Sequence, residues 1–191
     1  MKIVRKLVNW LISKGTVSEE DRELYEYAGY SLFISILPVI IIIIIGSIMG
    51  HLIESILIII PFMCLRKFCG GFHLKYAWLC LIISCGILFA SVYIISYIKF
   101  NIPFNLILIF SIISLIILGP IDSKNRRLEN YEMKKYKIVT ICMLIFFTVI
   151  YVILISIRMG KNALCIAEGV ILTAMLQIPC LFEKTVRGER E

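Results

Sequence analysis

Long uncharged apolar runs alternate with short polar stretches along this chain, as in "LPVIIIIIIGSIMG" and "FNLILIFSIISLIILGP". A membrane-crossing helix needs about 20 mainly apolar residues. The pattern predicts hydrophobic helices over roughly 30–49, 52–65, 76–98, 103–121, 138–157 and 163–182. The second segment is short and contains Glu54, so we expect a tilted, partly buried or re-entrant helix there. An all-α integral membrane protein in one domain, residues 1–191, is therefore predicted.

The first 28 residues form a separate amphipathic region ahead of the six hydrophobic segments. In a helix, the apolar and polar side chains would lie on different faces. The apolar face carries Ile3, Leu7, Trp10 and Leu11, and the polar face carries Lys2, Lys6, Asn9 and Ser13. This pattern is typical of a helix lying on a membrane surface. An ordinary helix packed against its own protein has the same pattern, so both interpretations stay open.

Composition and charge agree with a membrane protein. Hydrophobic residues make up 60% of the chain, more than a soluble domain of this size usually carries. The net charge of +7 could suggest nucleic acid, but the basic residues lie in loops between the apolar segments. With a cytoplasmic N-terminus, the outside loops hold only Lys99, Arg158 and Lys161. The positive-inside rule therefore predicts a multi-pass protein with both termini in the cytoplasm, and no nucleic-acid partner.

Seven cysteines occur in the chain, mostly inside apolar runs: Cys64, Cys69, Cys80, Cys85, Cys142, Cys165 and Cys180. Buried free cysteine behaves as a small apolar residue, so no disulfide framework is expected. The C-x4-C spacings in the 64–85 region differ from the usual zinc-ligand spacings. We therefore predict neither a metal nor another cofactor.

The stretch "RKFCGGFHLKYAWLC" (residues 66–80) is the main candidate for chemistry. Gly70 and Gly71 favour a turn, with His73 just after it and Cys80 inside the next helix. An imidazole can take the proton of a thiol and so produce a nucleophile. Seven helical residues span about 10 Å, so contact requires His73 to fold back before the regular helix. Alternatively, His73 is an interfacial polar residue and Cys80 packs in the bundle.

The combination of Arg66, Gly70, Gly71, His73 and Cys80 with an amphipathic start and several short spans resembles the AgrB (accessory gene regulator B) family. These are membrane endopeptidases of Gram-positive quorum sensing. The basic loop "GPIDSKNRRLEN" is also similar to the family's. One departure is "EYAGYSL", where Tyr30 stands in place of an expected polar amide.

The resemblance implies a cysteine endopeptidase of the bacterial cell membrane with a cytoplasmic active site. It would remove the acidic C-terminal tail of an AgrD-like precursor peptide and form a thioester that leads to a cyclic thiolactone signal. By the same resemblance, Cys80 is the nucleophile, His73 the general base and then acid, and Arg66 binds a peptide carbonyl or carboxylate. Gly70 and Gly71 support this site. The partners implied are the precursor, the lipid bilayer and a second copy in a homodimer.

Two other classes of function fit the residues. Six spans also permit a small membrane transporter or peptide exporter, and the carboxylates Glu54 and Glu168 would then matter more than Cys80. A non-catalytic membrane scaffold is the third possibility. Loss of precursor cleavage when Cys80 alone is changed would distinguish the enzyme from both.

Overall fold

The computed structural model describes residues 2–69, 77–97, 102–120 and 130–178, and the helices α1 to α7 account for most of them. Their bounds are α1 Lys2–Ser13, α2 Arg22–Met49, α3 Leu52–Cys69, α4 Ala77–Tyr97, α5 Ile102–Leu118, α6 Asn130–Ser156 and α7 Gly160–Met175. No strand occurs within these four ranges. The prediction of an all-α chain, with an N-terminal helix followed by six longer hydrophobic ones, is confirmed at the level of secondary structure.

The helix bounds depart from the predicted segments at their polar ends. Helix α3 continues four residues beyond the predicted segment and includes Arg66 and Lys67 in its last turn. Cations near a helix C-terminus interact favourably with the helix dipole, so these residues need not end the helix. Helix α6 begins at Asn130, eight residues before its predicted start. The predicted segment began too late because the first two turns of this helix are polar. Helix α5 ends at Leu118, just before Gly119 and Pro120, whose peptide bond is cis.

Helix α7 is the centre of the bundle and contacts α3, α4, α5 and α6. Almost every side chain between Ala163 and Ala174 is buried. A helix that is apolar on all sides is expected where neighbours surround it. Helix α3 is its main partner and buries a second set of residues: Ser55, Ile58, Ile59, Pro61, Phe62, Leu65 and Cys69. The short second segment is therefore a packed part of the core, as expected from its length.

The crossing of α3 and α7 depends on one glycine. A Cβ atom added to Gly169 would lie 2.5 Å from Pro61 Cγ and would also collide with the carbonyl oxygen of Ile58. The backbones of the two helices therefore approach more closely than any side chain at this position would allow. Small residues are favoured at such crossings because close backbone approach increases dispersion contacts.

Helix α1 packs along the first turns of α2. Val8 is buried there, and Arg5 Nε donates to Glu26 Oε2 over 3.2 Å. Three large apolar side chains of α1 stay more than half exposed, namely Ile3, Leu7 and Trp10. Both interpretations of this helix thus find support, since one face packs on the protein and the other presents an apolar stripe.

The outer surface of the bundle is strongly apolar. Large side chains such as Ile48, Phe110 and Ile117 are more than two-thirds exposed. Within the four described ranges, one helical stretch, Tyr131–Ser156, is long and apolar enough by itself to cross a membrane. Three shorter apolar stretches occur at Ile36–Met49, Ile82–Ile95 and Pro103–Leu118.

Candidate functional site

The predicted motif lies between the end of α3 and the start of α4. Arg66 belongs to the last turn of α3, and the backbone of Cys80 lies in the first turn of α4. Gly70, Gly71 and His73 lie outside the described residues, and so does the expected contact between His73 and Cys80. The geometry of the catalytic pair therefore remains a prediction.

Buried polar contacts meet at Cys69, the residue immediately before Gly70. The Cys69 side chain is fully buried, and its Sγ lies 3.6 Å from Thr140 Oγ1 of α6. Gln177, two residues beyond the end of α7, donates from Nε2 to the backbone carbonyl of Cys69 over 3.2 Å. The last turn of a helix leaves carbonyl groups without intrahelical hydrogen-bond donors. The Gln177 amide donates to one of these carbonyl groups, that of Cys69. Helix α6 and the segment after α7 thus both hold the end of α3.

Aromatic and basic side chains surround the same end of α3. The guanidinium carbon of Arg66 lies 5.4 Å from the centre of the Phe62 ring, a cation–π distance. The Phe68 ring is 6.0 Å from that of Tyr136 on α6. Exposed lysines, including Lys134, occupy the polar first turns of α6 beside this contact. A cationic surface is therefore adjacent to the predicted site and would attract an acidic peptide.

Glu54, a candidate under the transporter hypothesis, forms ion pairs at the opposite end of α3. Its Oε1 lies 2.6 Å from Lys161 Nζ at the start of α7 and 3.4 Å from His51 Nδ1. The carboxylate thus connects the turn before α3 to the first turn of α7. This arrangement gives Glu54 a structural role between two packed helices, which weakens its case as a transport residue.

Glu168, the second candidate, lies in the middle of α7 and close to Ser91 of α4, whose hydroxyl donates to the carbonyl oxygen of Ile87 in its own helix. Ser91 is itself almost fully buried. A polar pair inside a bundle can hold two helices together, because hydrocarbon offers no alternative partner. The contact therefore joins α4, the helix that carries Cys80, to the central helix.

The cysteines whose side chains are described are free thiols: Cys64, Cys69, Cys85, Cys142 and Cys165. Cys69 and Cys165 are buried in the core, which agrees with their interpretation as small apolar residues. Cys85 lies on α4, five residues after Cys80, and is only partly buried. It is therefore a natural control for experiments on Cys80.

Sequence reasoning missed Gln177 and Thr140. Both are fully buried polar residues, and neither belongs to a recognisable motif. The signal available in the sequence was an amide inside the apolar run "TAMLQIPC", where an uncharged polar group needs a partner. Its partner is 108 residues away, so only the fold identifies it.

Fold and motif together define a class of protein. It is an all-α bundle in which the pattern Arg-x3-Gly-Gly-x-His-x6-Cys begins in the last turn of one helix and ends in the first turn of the next. The family model for accessory gene regulator B matches residues 4–181. AgrB-like protein 1 of Clostridium perfringens (strain 13 / Type A) is 24% identical over 191 residues, which cover 98% of each chain. No solved structure matches the chain.

The chain belongs to the AgrB family. This family is membrane-associated and takes part in peptide processing in accessory gene regulator quorum sensing, where its members associate with an AgrD-like precursor.

Proposed function

We propose that this protein is a multi-pass membrane cysteine endopeptidase that cleaves the C-terminal tail from an AgrD-like precursor peptide. The observation that carries the proposal is the pattern from Arg66 to Cys80 in a chain that matches the AgrB family over residues 4–181. The described contacts at Cys69 support it, because buried residues of α6 and of the segment after α7 hold the chain just ahead of the proposed general base.

In the proposed reaction, His73 accepts the thiol proton of Cys80, and the thiolate attacks the carbonyl carbon of the scissile peptide bond. Collapse of the tetrahedral intermediate breaks the C–N bond, and His73 returns the proton to the leaving amine of the tail. The precursor is then bound to Cys80 as a thioester. A cysteine within the peptide displaces Cys80 by transthioesterification, which closes the thiolactone ring and regenerates the thiol.

The acidic tail would bind the cationic surface beside the end of α3. Arg66 offers a planar set of donors that suits a carboxylate or a peptide carbonyl. Lys134 and its neighbours at the start of α6 add long-range attraction for an acidic peptide. Assembly as a homodimer in the bilayer is part of the same proposal.

Replacement of the nucleophile tests the proposal. The protein, purified in lipid, is mixed with the cognate precursor, and cleavage is followed by mass spectrometry. Cys80→Ala should abolish cleavage because Cys80 alone among the cysteines has the required sequence spacing to His73. Cys85→Ala, on the same helix, should cleave at a near-normal rate. Cleavage by Cys80→Ala at the wild-type rate would refute the assignment.

The covalent intermediate can be trapped. A precursor whose own cysteine is changed to alanine cannot displace the enzyme, so peptide should accumulate on Cys80. Hydroxylamine should release this adduct, and Cys80→Ala should not form it. Rapid quench and mass spectrometry that found only hydrolysed peptide would contradict the thioester route.

A further inference from the structure

The side chain of Gln177 is unusual for its position. It is fully buried, although it lies two residues beyond the end of α7. Burial of an amide is unfavourable unless its donors and acceptor are paired. Nε2 is paired with the carbonyl oxygen of Cys69, whereas Oε1 has no hydrogen-bond partner among the residues described. A residue present only to fill space would not need this amide.

The orientation of the amide follows from its partner. A carbonyl oxygen can only accept, so the group facing Cys69 must be the NH₂ of Gln177 and not its oxygen. The bond joins the last residue of α3 to the segment after α7, across 108 positions of sequence. Gly119, after α5, also lies against this amide: a Cβ added there would be 3.3 Å from Gln177 Nε2.

Cys69, the last residue of α3, is followed by two glycines and precedes His73 by four positions. Only Gly70, Gly71 and Phe72 separate Cys69 from His73 in the sequence. Because each residue extends the chain by at most about 3.6 Å, holding Cys69 in place limits the space that His73 can reach. Thr140 contacts the side chain of Cys69, but only Gln177 binds its backbone carbonyl among the side-chain contacts of the described residues.

We propose that Gln177 is a positioning residue for the catalytic histidine: its hydrogen bond to the Cys69 carbonyl fixes the start of the segment that carries His73. This inference rests on the proposed function, because it assumes that His73 activates Cys80. Displacement of a catalytic group by about 1 Å can lower a rate by as much as about 100-fold. Gln177 itself touches neither the peptide nor the reacting atoms in this scheme.

Gln177→Met is the main test because methionine has a similar length and no hydrogen-bond donor. Thr173→Val is the matched control: Thr173 is buried four residues earlier and donates only to Gly169 O of its own helix. In lipid, Gln177→Met should lose about 10- to 100-fold in kcat with little change in KM, whereas Thr173→Val stays near wild type. Gel filtration and thermal unfolding in detergent establish that each variant is folded.

A second measurement separates positioning from general damage and does not depend on the precursor. The rate at which iodoacetamide modifies Cys80 is measured by peptide mapping at about pH 7 and about pH 9.5. Thiolate and not thiol reacts, so a histidine partner raises the rate mainly at the lower pH. Gln177→Met should lose the advantage at pH 7, as His73→Ala does, and react normally at pH 9.5.

Gln177→Asn is the second variant. It keeps an amide but is one methylene too short to reach Cys69, so it should behave like Gln177→Met. If folded Gln177→Met and Gln177→Asn match the wild type in cleavage and in alkylation at pH 7, the inference is wrong, whatever Cys80→Ala shows. If Cys80→Ala still cleaves while the alkylation rates shift as expected, the proposed protease fails and the positioning role stands.

Discussion

At the scale of single residues, the chemistry proposed for this protein requires two side chains, and the chain contains only two histidines. His51 lies in the turn between α2 and α3, 3.4 Å from Glu54. His73 lies at the other end of α3 in sequence, seven residues before Cys80. In the sequence the whole of α3 lies between the two histidines, and the proposed mechanism assigns the thiol to His73.

This separation gives a matched pair of substitutions. His73→Ala should lower the cleavage rate by about 10² to 10⁴, the usual contribution of a general base. His51→Ala should leave the rate nearly unchanged, because the only described partner of its imidazole is the Glu54 carboxylate, which keeps Lys161. Single-turnover cleavage in lipid measures both. Equal effects of the two substitutions, or no effect of His73→Ala, would show that His73 is not the general base.

The spacing of residues could be read from sequence, but their contacts could not. The glycine turn and the Cys–His pattern were visible because they are local. The bond between Gln177 and Cys69 was not, since it joins residues 108 positions apart and follows no periodicity. For the same reason, the sequence showed Glu54 as an isolated carboxylate in an apolar segment, whereas the fold pairs it with Lys161.

At the scale of helices, hydropathy located all six hydrophobic elements but misjudged their polar ends. An apolar window ends where charge begins, yet a helix can continue through charged residues that have good helix propensity. The first turns of α6, "NYEMKKYK", illustrate this. The apolar pattern also did not show which helix is most buried. Helix α7 is the central one, although its apolar run is no longer than those of α4 or α5. Side-chain size at the crossing decides which helices can approach closely.

The crossing at Gly169 can be tested by adding one methyl group. Gly169→Ala should destabilise the bundle by about 1–3 kcal/mol, because the new Cβ collides with the backbone of α3. Gly86→Ala is the control: it lies inside α4 with nothing within 4 Å of its added Cβ. Alanine is a better helix former than glycine, so this change should be neutral or stabilise by up to about 1 kcal/mol.

Unfolding of both glycine variants is followed by circular dichroism in the same detergent. The two substitutions add the same atom, and they differ only in what that atom meets. A loss of stability in Gly86→Ala as large as that in Gly169→Ala would show that the close approach of α3 and α7 is not the cause.

At the scale of the whole molecule, the two ends of the helix bundle carry different polar groups. One end gathers the termination of α3, the polar start of α6 and the residues after α7, and it carries Arg66, Lys67 and Lys134. The other end holds the cluster of His51, Glu54 and Lys161. Helix α6 has 27 residues and is therefore about 40 Å long, whereas the hydrocarbon core of a bilayer is about 30 Å thick. Its basic first turns would therefore project from the membrane on the side of the proposed site.

The positive-inside rule predicts that this basic end faces the cytoplasm. Single cysteines at exposed positions near the two ends of α6 test the orientation, namely Lys134→Cys and Met159→Cys. With an impermeant maleimide outside intact cells, Met159→Cys should be labelled and Lys134→Cys should not, each compared with the unsubstituted protein. Both should react after permeabilisation, which shows that each thiol is accessible. The reverse pattern would place the basic end, and with it the proposed active site, outside the cell, where a cytoplasmic precursor could not reach Cys80.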